Sequence, residues 1–397
     1  MDIGKLTLRA MRGMLDRKEI SAPELTSEYI KEAKASGHFV TVCADEAKAA
    51  ADRAQKIINA GRATPLCGIP VALTDNICTE GIRTACGSKT LENFTPPYSA
   101  HVADRLNSEN AVITGKTAIE EFGMHGSAHV SVFTADCGAV TLRPTYGRVS
   151  RFGLAAFASS FDQIGTVAGN AHDCGLLLNS IAGFDPQDVT TNKKSTPDFT
   201  AKAGQTAKGL KIALPKEFLE DCPDKGLINA VKEAAEWFTA QGAEVEEYSL
   251  PTVKYAYAAH RIISSAEASS NMARYDGIKF GHRSKEDGSF AELVRASRAE
   301  GFGFELKKRI LLGNFALSNN NIQDYFFKAM AVRQKLREEY TALFERFNLI
   351  LCGGCNIPSI LAGLPVISTS GISVTGNYWD EETIIQAADF FERGQES

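Results

Sequence analysis

Several polar residues stand at spacings that could carry chemistry. His125 and His129 are four residues apart, so on a helix their imidazoles would share a face and could bind a metal ion. Gly126 and Ser127 weaken a helix at that point. Ser127 and Ser131 flank His129, but a serine–histidine couple also needs an orienting group and an oxyanion site, and local proximity supplies neither. We therefore expect no metal site and no local catalytic couple here.

The pair Cys352 and Cys355 forms a lone C-x-x-C sequence at the end of an apolar run. A zinc site would need a second cysteine pair, and a thioredoxin-type motif would open a helix. The nine cysteines are odd in number and irregularly spaced, which is typical of reduced thiols in a cytoplasmic protein. We therefore predict neither a metal nor a cofactor.

Composition excludes some functional classes. The 397 residues carry a formal net charge of -5, so a nucleic-acid contact would need a local basic patch. The short cluster at 307–309 is better explained as a solvated helix face. The sequence has no signal-peptide pattern at Met1 and no apolar run of the roughly 18 residues that span a bilayer. These features predict a cytoplasmic location and no direct nucleic-acid site.

The pattern of elements predicts an α/β protein. Ser21 and Glu24 form a capping box that starts a helix. A short apolar run at 68–73, bounded by turn residues, predicts a buried strand. From there strand and helix patterns alternate, which favours a sheet covered by helices on both faces. The predicted strands are 39–43, 68–73, 111–113, 210–214, 243–246 and 347–351, and the predicted helices are 45–60, 172–182, 225–241, 253–275, 302–317 and 321–347.

The chain shows no clear domain boundary. Residues 185–209 are rich in Thr, Lys, Ala and Gly, but apolar elements resume on both sides, which indicates a surface crossover. We predict one domain over residues 1–397, with a helical N-terminal part at about 1–65 and a helix-rich insertion at about 251–346.

Four stretches resemble one family. They are residues 68–78, which include Thr74-Asp75-Asn76; residues 143–165, with Arg-Pro-Thr-Tyr-Gly-Arg and Ala-Ser-Ser-Phe-Asp-Gln; residues 266–277; and residues 300–310. The first is similar to the amidase strand that ends in Lys-Asp-Asn. The other three resemble the A subunit of the Glu-tRNA(Gln)/Asp-tRNA(Asn) amidotransferase, which is a member of the amidase signature family. The resemblance implies an amidase-type mixed central sheet with helices on both faces.

The resemblance also implies a chemistry, which is acyl transfer by a serine nucleophile. In the family a second serine relays the proton to a buried neutral lysine, and a Gly-Ser-rich loop supplies oxyanion donors. The family lysine position is Thr74 here, and a hydroxyl has no basic form near neutral pH. The interval 125–139 is too short for the two Gly-Ser segments, so neither family serine has a counterpart.

The substrate side resembles the family more closely. The family arginine that holds the free amino-acid end of glutamine matches Arg309, and the tyrosine position corresponds to His260. No carboxylate stands before the Leu-Ala-Gly-Leu-Pro run at 361–365, where the family has an aspartate. We therefore interpret Arg309, His260, Asp75 and Asn76 as a vestigial substrate site. A structural role for Arg309 stays open, and cap or turn roles are expected for Ser159, Ser160 and Asp162.

Together these features predict a degenerate paralogue of the amidotransferase A subunit, unable to hydrolyse glutamine itself. It would act as a scaffold or regulator with the B and C subunits of the amidotransferase or with a related partner. The alternative is a working A subunit or another amidase that uses replaced or partner-supplied residues. In either case, part of the family core is deleted, and the gap must be repacked or buried against a partner, because exposed apolar surface costs about 25 cal/mol per Å².

Overall fold

The N-terminal part begins as the sequence predicts. A computed structural model describes residues 6–124, 128–132, 139–220, 224–286, 288–354 and 356–395. Ser21 accepts a hydrogen bond from the Glu24 backbone N–H, while the Glu24 carboxylate accepts from the Ser21 backbone N–H. This confirms the capping box, which starts a 15-residue helix.

The elements follow in chain order. The helices are α1 (Leu8–Asp16), α2 (Ala22–Ser36), α3 (Ala44–Asn59), α4 (His101–Ser108), α5 (Ala171–Ile181), α6 (Lys216–Glu220), α7 (Lys225–Ala240), α8 (Ala256–Asn271), α9 (Phe290–Gly301), α10 (Phe304–Leu317), α11 (Lys328–Phe344), α12 (Ile357–Ala362) and α13 (Glu381–Gln395). The strands are β1 (Phe39–Val42), β2 (Pro70–Thr74), β3 (Val112–Thr117), β4 (Ala128–Ser131), β5 (Val140–Arg143), β6 (Ile164–Ala168), β7 (Lys211–Pro215), β8 (Glu244–Tyr248), β9 (Leu349–Gly353), β10 (Val366–Thr369) and β11 (Ile372–Gly376).

All these strands join one mixed sheet. Its order is β1-β3-β2-β4-β6-β5-β10-β11-β9-β7-β8. The pairs β2–β3, β4–β6, β7–β8 and β7–β9 are parallel, and the remaining pairs are antiparallel. The parallel pairs β2–β3, β7–β8 and β7–β9 are joined through helices, as the predicted alternation implies. The parallel pair β4–β6 is instead joined through β5, and the sequence predicted none of these three strands.

Strand β4 closes the sheet beside the predicted gap. It pairs antiparallel with β2, with Leu73 opposite Val130, and parallel with β6 over four residue pairs. Its sequence Ala-His-Val-Ser alternates, so Ala128 and Val130 are buried while His129 and Ser131 are partly exposed. The sheet therefore runs without a break from β2 to β6, which favours repacking of the core over an open gap.

Two apolar clusters support the site. The larger cluster joins the sheet to the helices around it and includes Leu73, Val130 and Leu142. The second cluster includes Ile263 of α8, Leu306 of α10 and Leu336 of α11. Both clusters consist of side chains that are almost fully buried, and burial of such groups is the main favourable term in folding. No described helix combines the length and apolarity required to cross a membrane. The predicted division into an N-terminal part and an insertion stays a prediction.

Candidate functional site

Thr74 ends β2, where the resemblance places the family lysine. Its hydroxyl accepts a hydrogen bond from the His129 backbone N–H at 3.0 Å and donates to Asn76 Oδ1 at 2.8 Å. Thr74 is buried, so both bonds lie away from bulk water. The hydroxyl thus ties the end of β2 to β4 and to the following turn.

Asp75 and Asn76 lie in that turn. The Asp75 carboxylate accepts from the Ala85 backbone N–H at 3.1 and 3.2 Å, and its backbone carbonyl accepts from the Cys86 N–H. Burial raises the pKa of Asp75, and backbone donors and the Lys116 charge oppose that rise. Both side chains are engaged inside the protein. Their predicted role in holding a substrate stays a prediction.

Lys116 is a buried lysine that the sequence reasoning missed. It is fully buried in β3, and its Nζ donates to the Ile77 carbonyl. Burial lowers its pKa to about 8, against the opposing influence of Asp75 and neighbouring thiols. Lys116 pairs with Leu73 across β2 and β3. Because successive side chains on a strand alternate between faces, Lys116 points to the face opposite Thr74.

The structure brings His260 and Arg309 together between α8 and α10. Both are buried. Arg309 Nη1 donates to the Ser264 and Ser265 hydroxyls at 3.2 and 3.4 Å, and its Nε has no hydrogen bond among the described residues. Burial, reinforced by Arg261, lowers the pKa of Arg309 to about 10. No described carboxylate forms an ion pair with it. Glu305, which pairs with Lys308 at 2.7 Å, acts on the Arg309 charge from nearby.

His260 is held neutral beside that guanidinium. Burial lowers its pKa to about 3, and the charges of Arg309 and Arg143 add to the effect. Its ring lies 4.9 Å from that of Phe161, measured between centroids. A neutral imidazole can accept one hydrogen bond and donate another, so the pair offers a cation beside a neutral polar ring.

Arg143 extends this positive region onto the sheet, where its charge acts on the neutral His129 imidazole. Burial lowers the pKa of His129 to about 4, with Arg143 as the next cause, and lowers that of Arg143 to about 10. Arg143 Nη2 donates to the Phe161 carbonyl. Sequence reasoning considered His129 only as a metal ligand or as a partner of nearby serines, and it missed Arg143. Residues 128–131 and 140–143 alternate in burial, which places both side chains on one face of two strands, but runs of four residues are too short to give a reliable signal from sequence.

The motif around Ser160 and Asp162 stabilises a turn. The Asp162 carboxylate accepts from the Phe157 and Ala158 backbone N–H groups at 3.0 Å. The Ser160 hydroxyl donates to Glu267 at 2.5 Å. The Asp162 contacts are the local turn role expected for it, whereas the Ser160 hydroxyl joins this turn to α8.

Several residues considered in the sequence have no described position. His125, Ser127 and Cys355 lie outside the described residues. Of their predicted partners, Ser131 donates to the Ala72 carbonyl at 3.4 Å and Cys352 is buried.

Known proteins resemble this chain along most of its length. The amidase family model matches residues 24–135 and 134–375. The A subunit of a glutamyl-tRNA(Gln) amidotransferase from Ruminiclostridium cellulolyticum is 36% identical, covering 99% of this chain and 98% of that protein. The protein of the same name from Geobacter sulfurreducens is 38% identical over 91% of this chain and 85% of its own length.

Solved structures of amidase-family proteins share the fold of this chain. The A subunit of the glutamyl-tRNA(Gln) amidotransferase of Thermotoga maritima has a TM-score of 0.75 and 26% identity, covering 99% of this chain and 95% of that one. The peptide amidase of Stenotrophomonas maltophilia has a TM-score of 0.80 at 20% identity, covering 99% of this chain and 97% of that one, which shows the shared fold alone. The predicted mixed sheet covered by helices is thereby confirmed.

One alignment also measures a difference in length. The comparison with the Ruminiclostridium protein extends over 474 positions, whereas this chain has 397 residues. At least 77 of those positions, the difference between 474 and 397, therefore lie opposite a gap in this chain.

Proposed function

Because the chain belongs to the amidase family, in the branch of the amidotransferase A subunit, we propose that it is a non-hydrolytic relative of that protein. In this proposal it acts as a scaffold or regulator in an amidotransferase-type complex. The single observation that carries the proposal is the chemistry at the end of β2.

Thr74 stands where the resemblance expects a general base. Its hydroxyl is committed to two internal hydrogen bonds, and an alcohol cannot take up a proton near neutral pH. Lys116, a buried lysine on the neighbouring strand, projects from the other face. It therefore offers no replacement base at this position.

The length difference supports loss of the nucleophile. The family match divides at residues 134–135, within the interval where the sequence lacks both Gly-Ser segments. The total number of gap positions in this chain exceeds what both segments require. Without a nucleophile, a relay group and an oxyanion loop, the site lacks every part on which acyl transfer depends.

The partners follow from the relatives' names. A chain that retains the framework of an amidotransferase component is expected to keep the surfaces through which that component assembles. We therefore propose binding to the B and C subunits of the amidotransferase or to a related protein. A cytoplasmic location and the absence of a direct nucleic-acid site are part of the same proposal. Buried Arg309 beside neutral His260 fits a retained, vestigial anchor for a carboxylate.

Ammonia release tests the proposal. Purified protein, alone and mixed with the B and C subunits, should release no ammonia from glutamine or asparagine, while a complete A subunit in the same mixture gives the positive control. A Thr74→Lys variant should stay inactive, because a base without a nucleophile performs no acyl transfer. Turnover that keeps a constant specific activity through purification would refute the proposal, as would fluorophosphonate labelling of a serine in the wild-type chain.

Complex formation is tested separately. The chain should elute together with the B and C subunits in size-exclusion chromatography. If the chain stays separate from both, the scaffold role is wrong, even where hydrolysis is absent.

A further inference from the structure

The Asp173 carboxylate joins the N-termini of two helices. Its Oδ2 accepts the backbone N–H of Leu8, the first residue of α1, at 2.6 Å, and it also accepts from Asn170 Nδ2 at 3.2 Å. Asn170 is the N-cap of α5, and its Oδ1 accepts the Asp173 N–H in return. The first N–H groups of a helix have no partner within the helix. One carboxylate therefore stabilises the start of α1 and the start of α5 together.

The second oxygen of this carboxylate is less well satisfied. Asp173 is 2% exposed, and its Oδ1 has no hydrogen bond among the described residues. His172 Nδ1 lies 3.6 Å from it, which is the distance of an ion pair when the imidazole is protonated. A buried carboxylate oxygen without a donor or a counter-charge destabilises the folded arrangement. The contribution of Oδ1 to the docking of α1 therefore depends on the charge of His172.

His172 lies where α1 meets the rest of the molecule. Its side chain is 29% exposed, so it can exchange protons with solvent. It lines a cavity of about 360 Å³, whose walls come from the start of α1, the start of α5, residues 203–204 and α13. A change in its charge therefore acts directly at the contact between α1 and α5.

Charged groups of both signs face His172 from several elements. They are Arg9 of α1, Asp198, and Asp389, Glu392 and Arg393 of α13. Side chains of these types ordinarily keep their charge between a pH of about 6.5 and 8.5, so they form a constant background. Contact with the Asp173 carboxylate raises the pKa of His172, while burial opposes that rise. The imidazole therefore changes charge within this pH range.

We propose that His172 and Asp173 form a proton-operated latch on α1. When the imidazole is protonated, its charge compensates Asp173 Oδ1 while Oδ2 holds the Leu8 N–H. When the imidazole is neutral, Oδ1 stays buried without compensation, and opening of α1 becomes easier because it exposes Oδ1 to water. This device is separate from the proposed scaffold role.

The direction of the effect follows from linkage. A histidine whose pKa is higher in the closed state stabilises that state at low pH, and the stabilisation is lost as pH rises through the raised pKa. The start of α1 should therefore be held more firmly at a pH of about 6.5 than at about 8.5. Because Leu8, Met11 and Leu15 pack into the core, the latch changes how often α1 opens and not whether the helix forms.

Hydrogen exchange in α1 tests the latch. Exchange of the backbone amides of residues 8–16 in the full chain is measured by mass spectrometry at a pH of about 6.5 and 8.5, and each rate is corrected for the intrinsic pH dependence of exchange. The opening constant of α1 should rise about threefold to fivefold between the two values, which is the effect of one partly exposed ion pair.

Three variants separate charge from shape. His172→Gln removes the charge and should give the higher opening constant at both pH values. His172→Arg keeps a cation throughout and should give the lower constant at both. The matched control is His282→Gln, because His282 also pairs with a carboxylate, that of Glu300 at 2.8 Å, but does not line this cavity. It should respond to pH as the wild type does. Thermal melting verifies that each variant is folded.

Each contrary result overturns the latch. An opening constant that stays the same at both pH values in the wild type would show that no titrating group holds α1. A pH response that persists in His172→Gln would assign the titration to another group. If folded His172→Arg opens as readily as His172→Gln, the charge of the imidazole does not hold the helix. All these results are read in α1 alone, and none depends on partner binding or ammonia release.

Discussion

The end of β2 and the space between α8 and α10 show two different outcomes for a site that resembles the same family's substrate pocket. At the end of β2, Thr74 and Asp75 are both hydrogen bonded within the chain. Between α8 and α10, Arg309 is almost fully buried, has two long hydrogen bonds to hydroxyls and forms no ion pair with a described carboxylate. The polar side chains at the end of β2 therefore have their hydrogen-bond partners within the chain, whereas the Arg309 guanidinium has only weak ones.

The difference shows what each residue type needs from its surroundings when it is buried. A small hydroxyl can join neighbouring strands, so its presence contributes to stability without any ligand. A buried guanidinium instead costs several kcal/mol of desolvation unless a partner compensates for it. Arg309 is therefore the stronger indicator of a retained ligand function, and Thr74 is the stronger indicator of a structural replacement.

The largest effect is expected from comparing Arg309 with another buried arginine, Arg148. Arg148 donates to Glu381 at 2.8 and 3.1 Å, and Glu381 is fully buried. Arg148→Met leaves the buried Glu381 carboxylate without its ion-pair partner. It should therefore lower the free energy of unfolding by about 3–5 kcal/mol. Arg309→Met should leave it unchanged or raise it by up to about 2 kcal/mol, because it removes a poorly compensated charge. Urea unfolding without ligand measures both.

A large loss of stability in Arg309→Met would contradict this comparison. It would mean that Arg309 has a structural counter-charge after all, and the two regions would then be alike. The midpoint and the slope of the transition are both recorded, since a changed slope indicates a changed unfolded state instead of a lost contact.

A somewhat smaller effect is expected from acid. The pKa of His260 is about 3 in the folded protein and about 6.5 when unfolded. Below a pH of about 6.5, His260 is protonated in the unfolded chain but stays neutral in the folded chain. The free energy of unfolding therefore falls as pH falls from about 6.5 toward 3. The slope is at most about 1.4 kcal/mol per pH unit for this group. A His260→Gln variant should lose correspondingly less stability between about pH 6.5 and 4.5, about 2–3 kcal/mol in all.

Asp162 acts with the opposite sign. Burial raises its folded pKa to about 6, so the folded state binds its proton first, and stability rises as pH falls from about 6 toward 4. This contribution cancels when wild type and His260→Gln are compared at each pH. The same substitution at exposed His38 is the matched control. Parallel pH profiles for wild type and His260→Gln would show that His260 is not held neutral.

Much of the fold could be predicted from local patterns, and the reasons are specific. Helix α2 has a capping box, and β2 is an apolar run between turn residues, so each carries its own signal. Strands β4 and β5 have four residues each, and four residues are too few for a reliable periodicity. Their pairing depends on β6 and β10, which lie far away in the sequence.

Some residues of the candidate site could likewise be predicted, and others could not. Arg309 and His260 were predicted from the resemblance, and the structure brings them together on packed helices. His129, Arg143 and Lys116 were missed because their burial and mutual effects depend on strand pairing. The prediction that the family aspartate before residue 361 has no counterpart stays a prediction. The resemblance to a family can therefore identify a residue, but the tertiary structure sets its electrostatic environment.

The smallest effect tests whether Thr74 is truly structural. Thr74→Val keeps the shape but leaves the His129 N–H and Asn76 Oδ1 without their hydroxyl partner, so the free energy of unfolding should fall by about 1–2 kcal/mol. Thr74→Ser keeps the hydroxyl and should lose less than half as much. If Val is tolerated as well as Ser, the hydroxyl does not join β2 to β4. The hydrogen bonds of Thr74 would then contribute no more to stability than those of Arg309, and the two regions would no longer differ.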